Sequence, residues 1–320
     1  QDARLRVRDG VRLNDWKAAQ DQAKYDYQIV EPGAEFIMRL QLIVRKDDEC
    51  DGQKPVSALL SAIQRGEVAV GAKTRRGLGR LTIDEVLRRD FDLRTDYAAW
   101  LDWDWEKDDA FAEAEAISLE EQSSTCYHCL RLPLQLKSTL LIRDYALPGQ
   151  EEGQPDAGAK KAQSNAADAE KQEPDAVPLS AKGHPVIPGS SWMGAIRARL
   201  AHILRQMTGK SWQSCQAQLA PAFGSWPKEQ GEALRASAVT VEESTLRGGR
   251  AQMITRNAID RFTGGTVDGA LFTNQVQVGG DTELALRWPA GGGDGISSEA
   301  ICGLLLWALD DLQSGLLALG

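Results

Sequence analysis

Histidine is scarce in this 320-residue chain: only His128, His184 and His202 are present. A nuclease that works with paired histidines needs two converging imidazoles. Of the three, only His184 falls near a loop with other candidate groups, and His202 reads as an ordinary helical side chain. Cysteine is nearly as sparse. The five (Cys50, Cys126, Cys129, Cys215 and Cys302) are an odd number spread along the chain. That argues against a disulfide framework and for a reducing, cytoplasmic compartment. No apolar run approaches eighteen residues, so no membrane partner is expected, and no charged-then-apolar leader marks secretion. The first residue is Gln1, so the natural start is expected upstream. What remains is globular: 42% hydrophobic and 26% charged residues, in a length that suits two domains better than one.

The net charge of -9 looks hostile to nucleic acid. It is concentrated, however. Residues 91–121 hold eleven acids against Arg94 and Lys107, and residues 149–175 hold seven acids against three lysines. Those two stretches contribute -9 and -4, which leaves the rest of the chain near +4. A mildly basic body keeps a nucleic-acid partner open.

Two segments read as connections. Residues 86–127 are acidic and carry Trp100, Trp103 and Trp105, which predicts a linker packed down on a body, with a short helix near Asp109–Leu119. Residues 148–182 have almost no large apolar side chains and predict a flexible insertion. The chain also repeats itself. Arg8–Val30 matches Arg256–Val278 at an offset of 248, and RGEVAVG (Arg65–Gly71) matches SGLLALG (Ser314–Gly320) at 249. Two copies of one unit, cut out of phase, account for the near-constant offset.

Pooling the copies gives the unit. A strand alternates through Leu130, Leu132, Leu134 and Leu136 within 130–142. A helix follows Pro188-Gly189-Ser190-Ser191, capped by Ser190 or Ser191, with Trp192, Ile196, Leu200, Ile203 and Leu204 on one face. Strands are predicted near 236–241, 251–255, 272–278 and 282–288, and a helix over 298–312. The first copy then supplies a Gly-rich turn, 71–79, and a strand, 80–83. The fold class is α+β: two tandem ferredoxin-like (RRM-like, βαββαβ) units, with an elaborated central hairpin. The first, 1–85, lacks its start, and the second, 128–320, lacks its last strand.

GAKTRRGLGR sets Lys73, Arg75, Arg76 and Arg80 among Gly71, Gly77 and Gly79, so that backbone can approach a phosphate and cations can neutralise it. It is not a Walker loop, because no Gly-Lys-Ser/Thr has the spacing. Ser190, Ser191 and the amides that open their helix read as a plain capped helix or as an anion site of the helix N-terminal kind, with Arg197 two turns on. Arg256, Arg261, Phe262 and Thr263 stand beside Gly264-Gly265 at a turn, where a cation and an aromatic ring can engage bases of a single strand.

Three blocks carry a resemblance: HPVIPGSSWMGAIRARL (His184–Leu200), RNAIDRFTGGTVDGALF (Arg256–Phe272) and GAKTRRGLGRL (Gly71–Leu81). In this order they resemble the RAMP superfamily, whose members are repeated backbone subunits of type III CRISPR effector complexes. The resemblance implies that Arg256–Phe272 is a thumb hairpin that crosses the duplex of guide and target. In the first copy Asn14-Asp15-Trp16 replaces the F-T-G-G tip, leaving Trp16 as the ring that could wedge.

RNA-cleaving members of that family use an aspartate in the loop before the PGSS helix, and the matching residue is Asp175. The resemblance implies that it ligates Mg2+ or another divalent metal, or accepts a proton, while the RNA 2′-hydroxyl attacks in line. Asp144 and Asp168 are the alternatives. Cys126, His128, Cys129 and Cys215 match a zinc-binding set only in part, and core cysteines are the expected account. The reading is therefore a subunit that binds CRISPR guide RNA, single-stranded target RNA and other effector subunits, and cleaves the paired target. A non-catalytic guide-binding scaffold and a guide-precursor-processing nuclease, which would lean on His184, are the alternatives.

Overall fold

The computed structural model describes residues 4–45, 53–107, 109–119, 126–144, 174–225 and 234–319. The chain divides into two compact units. One comprises Gln1–Ile37, Arg75–Gly77 and Cys126–Gly320; the other comprises Met38–Thr74 and Leu78–Thr125. The architecture is mixed α+β with small antiparallel sheets.

In the larger unit the chain opens with an antiparallel hairpin, β1 (Leu5–Leu13) and β2 (Ala19–Val30). Next come β3 (Tyr127–Gln135), the twenty-residue helix α1 (Gly189–Thr208) and the short β4 (Thr240–Val241). A long second hairpin follows, β5 (Arg250–Ile259) and β6 (Thr266–Val278), then β7 (Asp281–Pro289) and helix α2 (Ser298–Gln313). The sheet order is β4-β7-β3, all antiparallel, with β7 in the centre. Chain order first-second-third thus becomes sheet order second-third-first, the arrangement a ferredoxin-like unit requires of those strands. Leu284 faces Leu132 and Leu286 faces Leu130 across the ladder.

Both helices bury one stripe. Trp192, Met193, Ile196 and Leu200 of α1 and Ile301, Leu305 and Ala308 of α2 are essentially inaccessible, packed with Leu284, Leu286 and Val241. These positions recur at three- and four-residue intervals, as a helix with a single buried face demands. Ile203 and Leu204 pack at the margin of the same core. The Trp192 indole also donates to Ser244 Oγ at 3.0 Å, which satisfies its one polar atom.

Several expectations change in detail. The strand predicted over 130–142 breaks after Gln135 and resumes only at Thr139–Leu140, paired with β6 and not with β7. Neither Ser190 nor Ser191 caps α1. Pro188 occupies the cap position with extended backbone (φ -59°, ψ 145°), and both serines lie inside the first turn.

In the smaller unit, a helix spans Gln53–Gln64 and another Tyr97–Asp102, whereas 109–119 forms turns and a two-residue strand in place of the predicted helix. Trp103 explains the change. It lies between Phe91 and Phe111, with ring centroids at 5.1 and 5.5 Å, and its indole donates to Ala110 O at 2.9 Å; a helix through Ala110 would claim that carbonyl. Trp100, Trp103 and Trp105 are half-buried. Residues 80–83 form no strand beyond a single bridge, Ala69 to Arg80.

Candidate nucleic-acid interface and cleavage site

The larger unit brings Arg75-Arg76-Gly77 against the start of α1. A Cβ on Gly189 would lie 2.3 Å from Arg76 O and 2.4 Å from Val241 O, so only glycine lets the three segments meet. Gly77 has φ +86°, and a Cβ there would meet the Glu243 nitrogen at 2.5 Å. Arg75 Nη1 donates to Thr240 Oγ1 at 3.1 Å, fixing the turn to the edge of the sheet. Ser190 is exposed and Ser191 half-buried beside it.

The guanidinium groups here have different surroundings. Arg76 is largely buried, which pushes its pKa down, and its Nη1 is shielded from water without a hydrogen-bond partner. Arg197 is bonded inward: Nε to Gln216 Oε1 at 2.5 Å, Nη1 to Gly224 O at 2.9 Å and Nη2 to Gln216 O at 3.2 Å. Burial, then the positive charges of Arg76 and Arg12, bring its pKa down to about 10, so it stays cationic at neutral pH. Lys73 and Arg80 belong to the smaller unit, where Lys73 has positive φ (58°).

The second hairpin presents the turn residues. Asp260 Oδ1 accepts from the amides of Phe262 and Thr263, both at 2.8 Å, and Gly264 N donates to Asp260 O at 3.0 Å. These bonds hold the Asp260 carboxyl below its usual pKa. The turn leaves Phe262 99% exposed, with Arg261 and Thr263 beside it. Asp260 shapes the turn, a role the sequence reading did not assign, although an Asp whose side chain caps the amides two and three residues on is a recognisable turn signal. The first hairpin holds its tip alike: Asn14 Oδ1 accepts from Trp16 N at 2.9 Å and Ala18 N at 3.0 Å, and Trp16 is 83% exposed.

Asp175 lies beside the middle of the second hairpin, where Thr273 pairs with Thr255. Its amide donates to Thr273 O and its Oδ2 accepts from Thr273 N, each at 2.7 Å. Gln275 N then donates to Ala176 O at 2.8 Å, so Asp175 and Ala176 run alongside β6. A cleft of about 200 Å³ adjoins this junction, lined by Arg256, Asn274, Ile254, Thr139, Leu141 and Val276. Asp175 is exposed, and its second carboxylate oxygen makes no hydrogen bond among the described residues. One outward-facing carboxylate fits a hard divalent cation whose remaining ligands are water and phosphate oxygens.

The other candidates lie apart. Asp144 is buried and ion-paired with Arg6, which also donates to Ser180 O at 2.6 Å. Asp168 lies outside the described residues, as does 145–173 of the insertion. His184 is exposed on the short strand His184–Ile187; His128 stacks near Trp288 and His202 near Trp212. Cys215 is buried in the core, while Cys126 and Cys129 are exposed. Among the described residues no three His, Cys, Asp or Glu side chains converge as a metal site.

A family model, the RAMP superfamily, matches residues 152–320, more than half of the chain. The chain belongs to the RAMP superfamily. Membership gives it a CRISPR-associated, RNA-binding role. No curated protein matches it significantly. The matched span contains α1, both strands of the second hairpin, β7, α2 and Asp175, so the RAMP portion coincides with most of the larger unit. No helix among the described residues is long and apolar enough to cross a membrane.

Proposed function

We propose that this RAMP protein is a guide-RNA-binding backbone subunit of a type III CRISPR RNA-targeting complex and an endoribonuclease that cuts the paired target strand at Asp175. Residues 1–85 and 128–320 are two tandem RAMP units joined by 86–127. The observation that carries the catalytic reading is the pair of hydrogen bonds between Asp175 and Thr273. They set an exposed carboxylate midway along the stem of the hairpin whose tip offers Phe262, beside a cleft holding Arg256.

The roles follow from chemistry. In the larger unit Arg75, Arg76, Gly77, Ser190 and Ser191 hold guide phosphates, and Arg197 braces α1 behind them; Lys73 and Arg80, in the smaller unit, are RNA-binding residues in their own right. Arg256, Arg261 and Thr263 contact the backbone around the tip, and Phe262 separates stacked bases. Sequence is read by base pairing between guide and target. At the cut, Asp175 takes or relays the proton of the target 2′-hydroxyl, or helps to ligate a divalent metal. A divalent cation bound there would offset the phosphate's negative charge.

The test is reconstitution with guide RNA, labelled matching RNA and magnesium. Cleavage should require matching sequence, stop with EDTA, and leave 5′-hydroxyl and cyclic-phosphate ends. Binding without cleavage would leave a scaffold. Metal-independent cutting of unpaired precursor would instead indicate guide processing.

A further inference from the structure

We infer that residues 92–102 of the smaller unit present a docking face for a basic amphipathic helix of a partner protein. This surface is acidic, repels a phosphate backbone and lies outside the RNA-binding reading above.

The face is apolar in its pattern. Asp96 N donates to Asp92 O at 2.7 Å and Trp100 N to Asp96 O at 2.8 Å, so a hydrogen-bonded turn leads into the helix Tyr97–Asp102. Leu93, Tyr97, Trp100 and Leu101 stand at i, i+4, i+7 and i+8, the spacing of a stripe that a helix ordinarily buries. Here Leu93, Tyr97 and Leu101 are 51, 55 and 58% exposed. Trp100 is half-buried, its ring 6.2 Å from that of Tyr97.

The segment is held from behind. Phe91 just before it meets Trp103 just after it, with ring centroids at 5.1 Å, and this contact staples the two ends together. Trp103 is fixed in turn by Phe111, by its bond to Ala110 O and by the Arg89 guanidinium, 5.9 Å from its ring. The exposed stripe is therefore presented on a braced turn, which lowers the ordering cost of docking.

Charge selects the occupant. From Asp90 to Glu106 six acids stand against one base, Arg94. Asp90 is paired with Arg88. Asp92 and Asp96 accept backbone amides, but neither they nor Asp102, Asp104 and Glu106 form an ion pair among the described residues. A second copy apposing the same patch is repelled. A helix whose apolar stripe meets Leu93, Tyr97 and Leu101 while its lysines and arginines reach the carboxylates gains both contacts. The rings of Tyr97 and Trp100 add faces for a cation. From Leu93 to Leu101 the stripe runs about 12 Å, so the interface belongs to the small, salt-sensitive class.

The probe is a fluorescein-labelled peptide of about fourteen residues, four helical turns, with leucines on one face and lysines elsewhere. Its binding to the full chain is followed by anisotropy across a salt series, beside a control peptide with glutamate for every lysine. Leu93→Ser with Leu101→Ser tests the stripe, and Asp102→Asn with Glu106→Gln tests the rim. Asp268→Asn, on the second hairpin, removes an acid elsewhere. All five side chains are exposed, so each variant should melt within a degree or two of wild type. The lysine peptide should bind wild type and Asp268→Asn alike. It should bind the stripe variant about tenfold more weakly at every salt concentration, the scale of two half-buried leucines. The rim variant should lose about fivefold at low salt and little at high salt. The glutamate peptide should not bind. Equal affinity of wild type and the stripe variant overturns the face, and so does equal binding of the two peptides. If labelled single-stranded RNA binds wild type and loses affinity for the stripe variant, the face belongs to RNA and the protein partner is wrong. If wild type sediments as a dimer and the stripe variant as a monomer, with no peptide bound, the face joins two copies and the proposal fails.

Discussion

Asp175 and Thr273 hold each other by two reciprocal hydrogen bonds, the Asp175 amide to the Thr273 carbonyl and the Thr273 amide to Asp175 Oδ2, both 2.7 Å long. The carboxylate is therefore registered to β6. Thr273 in turn shares a hydroxyl contact of 2.9 Å with Thr255 on β5, so both strands of the second hairpin support the position. Any change that shifts the hairpin relative to α1 also shifts the proposed cleavage point relative to the guide.

The first hairpin is pinned by a buried ion pair. Arg8, with its side chain only 3% exposed, meets both oxygens of Glu243. Removing one partner leaves an uncompensated buried charge, so Glu243→Ala should lower stability by about 3 kcal/mol, whereas Arg8→Met with Glu243→Leu should recover much of the loss. Urea unfolding of the three proteins checks this; equal losses in single and double variants would contradict it.

The turn at Asp260 should be separable from RNA affinity. Asp260→Ala removes the acceptor for two amides, and Phe262→Ala removes a ring that has no packing to lose. Both should leave melting temperature within a degree or two of wild type. Phe262→Ala should change the position or efficiency of target cuts more than overall affinity for guide RNA, measured by product mapping beside filter binding.

A pH effect resides in the first hairpin. Asp9 and Asp26 face each other across β1 and β2. Burial first, and then the hydrogen bond with Asp26, raises the Asp9 pKa above 3.8, against the pull of Lys24. The folded state thus holds this proton more tightly than the unfolded chain. The contribution is fully present below the unfolded pKa and is lost as pH rises through the folded value. Wild type should therefore gain stability, relative to Asp26→Asn, as pH falls from 7 toward 4. Parallel stability profiles for the two proteins would contradict the pairing.

Periodicity made much of the larger unit legible. The stripe Trp192, Ile196 and Leu200 is buried as a 3.6-residue repeat requires, and the alternating leucines of β3 face β7. The two segments matched at one offset, Arg8–Val30 and Arg256–Val278, both lie in antiparallel hairpins with a bulge near the tip. Pro188 and Trp103 are where local pattern misleads. A proline sets the helix start in place of a serine cap, and an indole hydrogen bond to Ala110 replaces a helix suggested by composition. Asp175 can be matched to a motif but not placed, since its position depends on β6, ninety-eight residues away.

The central claim is that Asp175 does chemistry and is not merely a tether. The most direct measurement compares wild type with Asp175→Ala in the guide-loaded complex, scoring target binding and cleavage products in parallel with magnesium present. The account predicts target affinity within about twofold of wild type and loss of the cut assigned to this subunit by a factor of at least ~100, the usual scale for general acid–base help. An unchanged product ladder at unchanged affinity would contradict it, and would leave this RAMP protein as the scaffold along which guide and target pair.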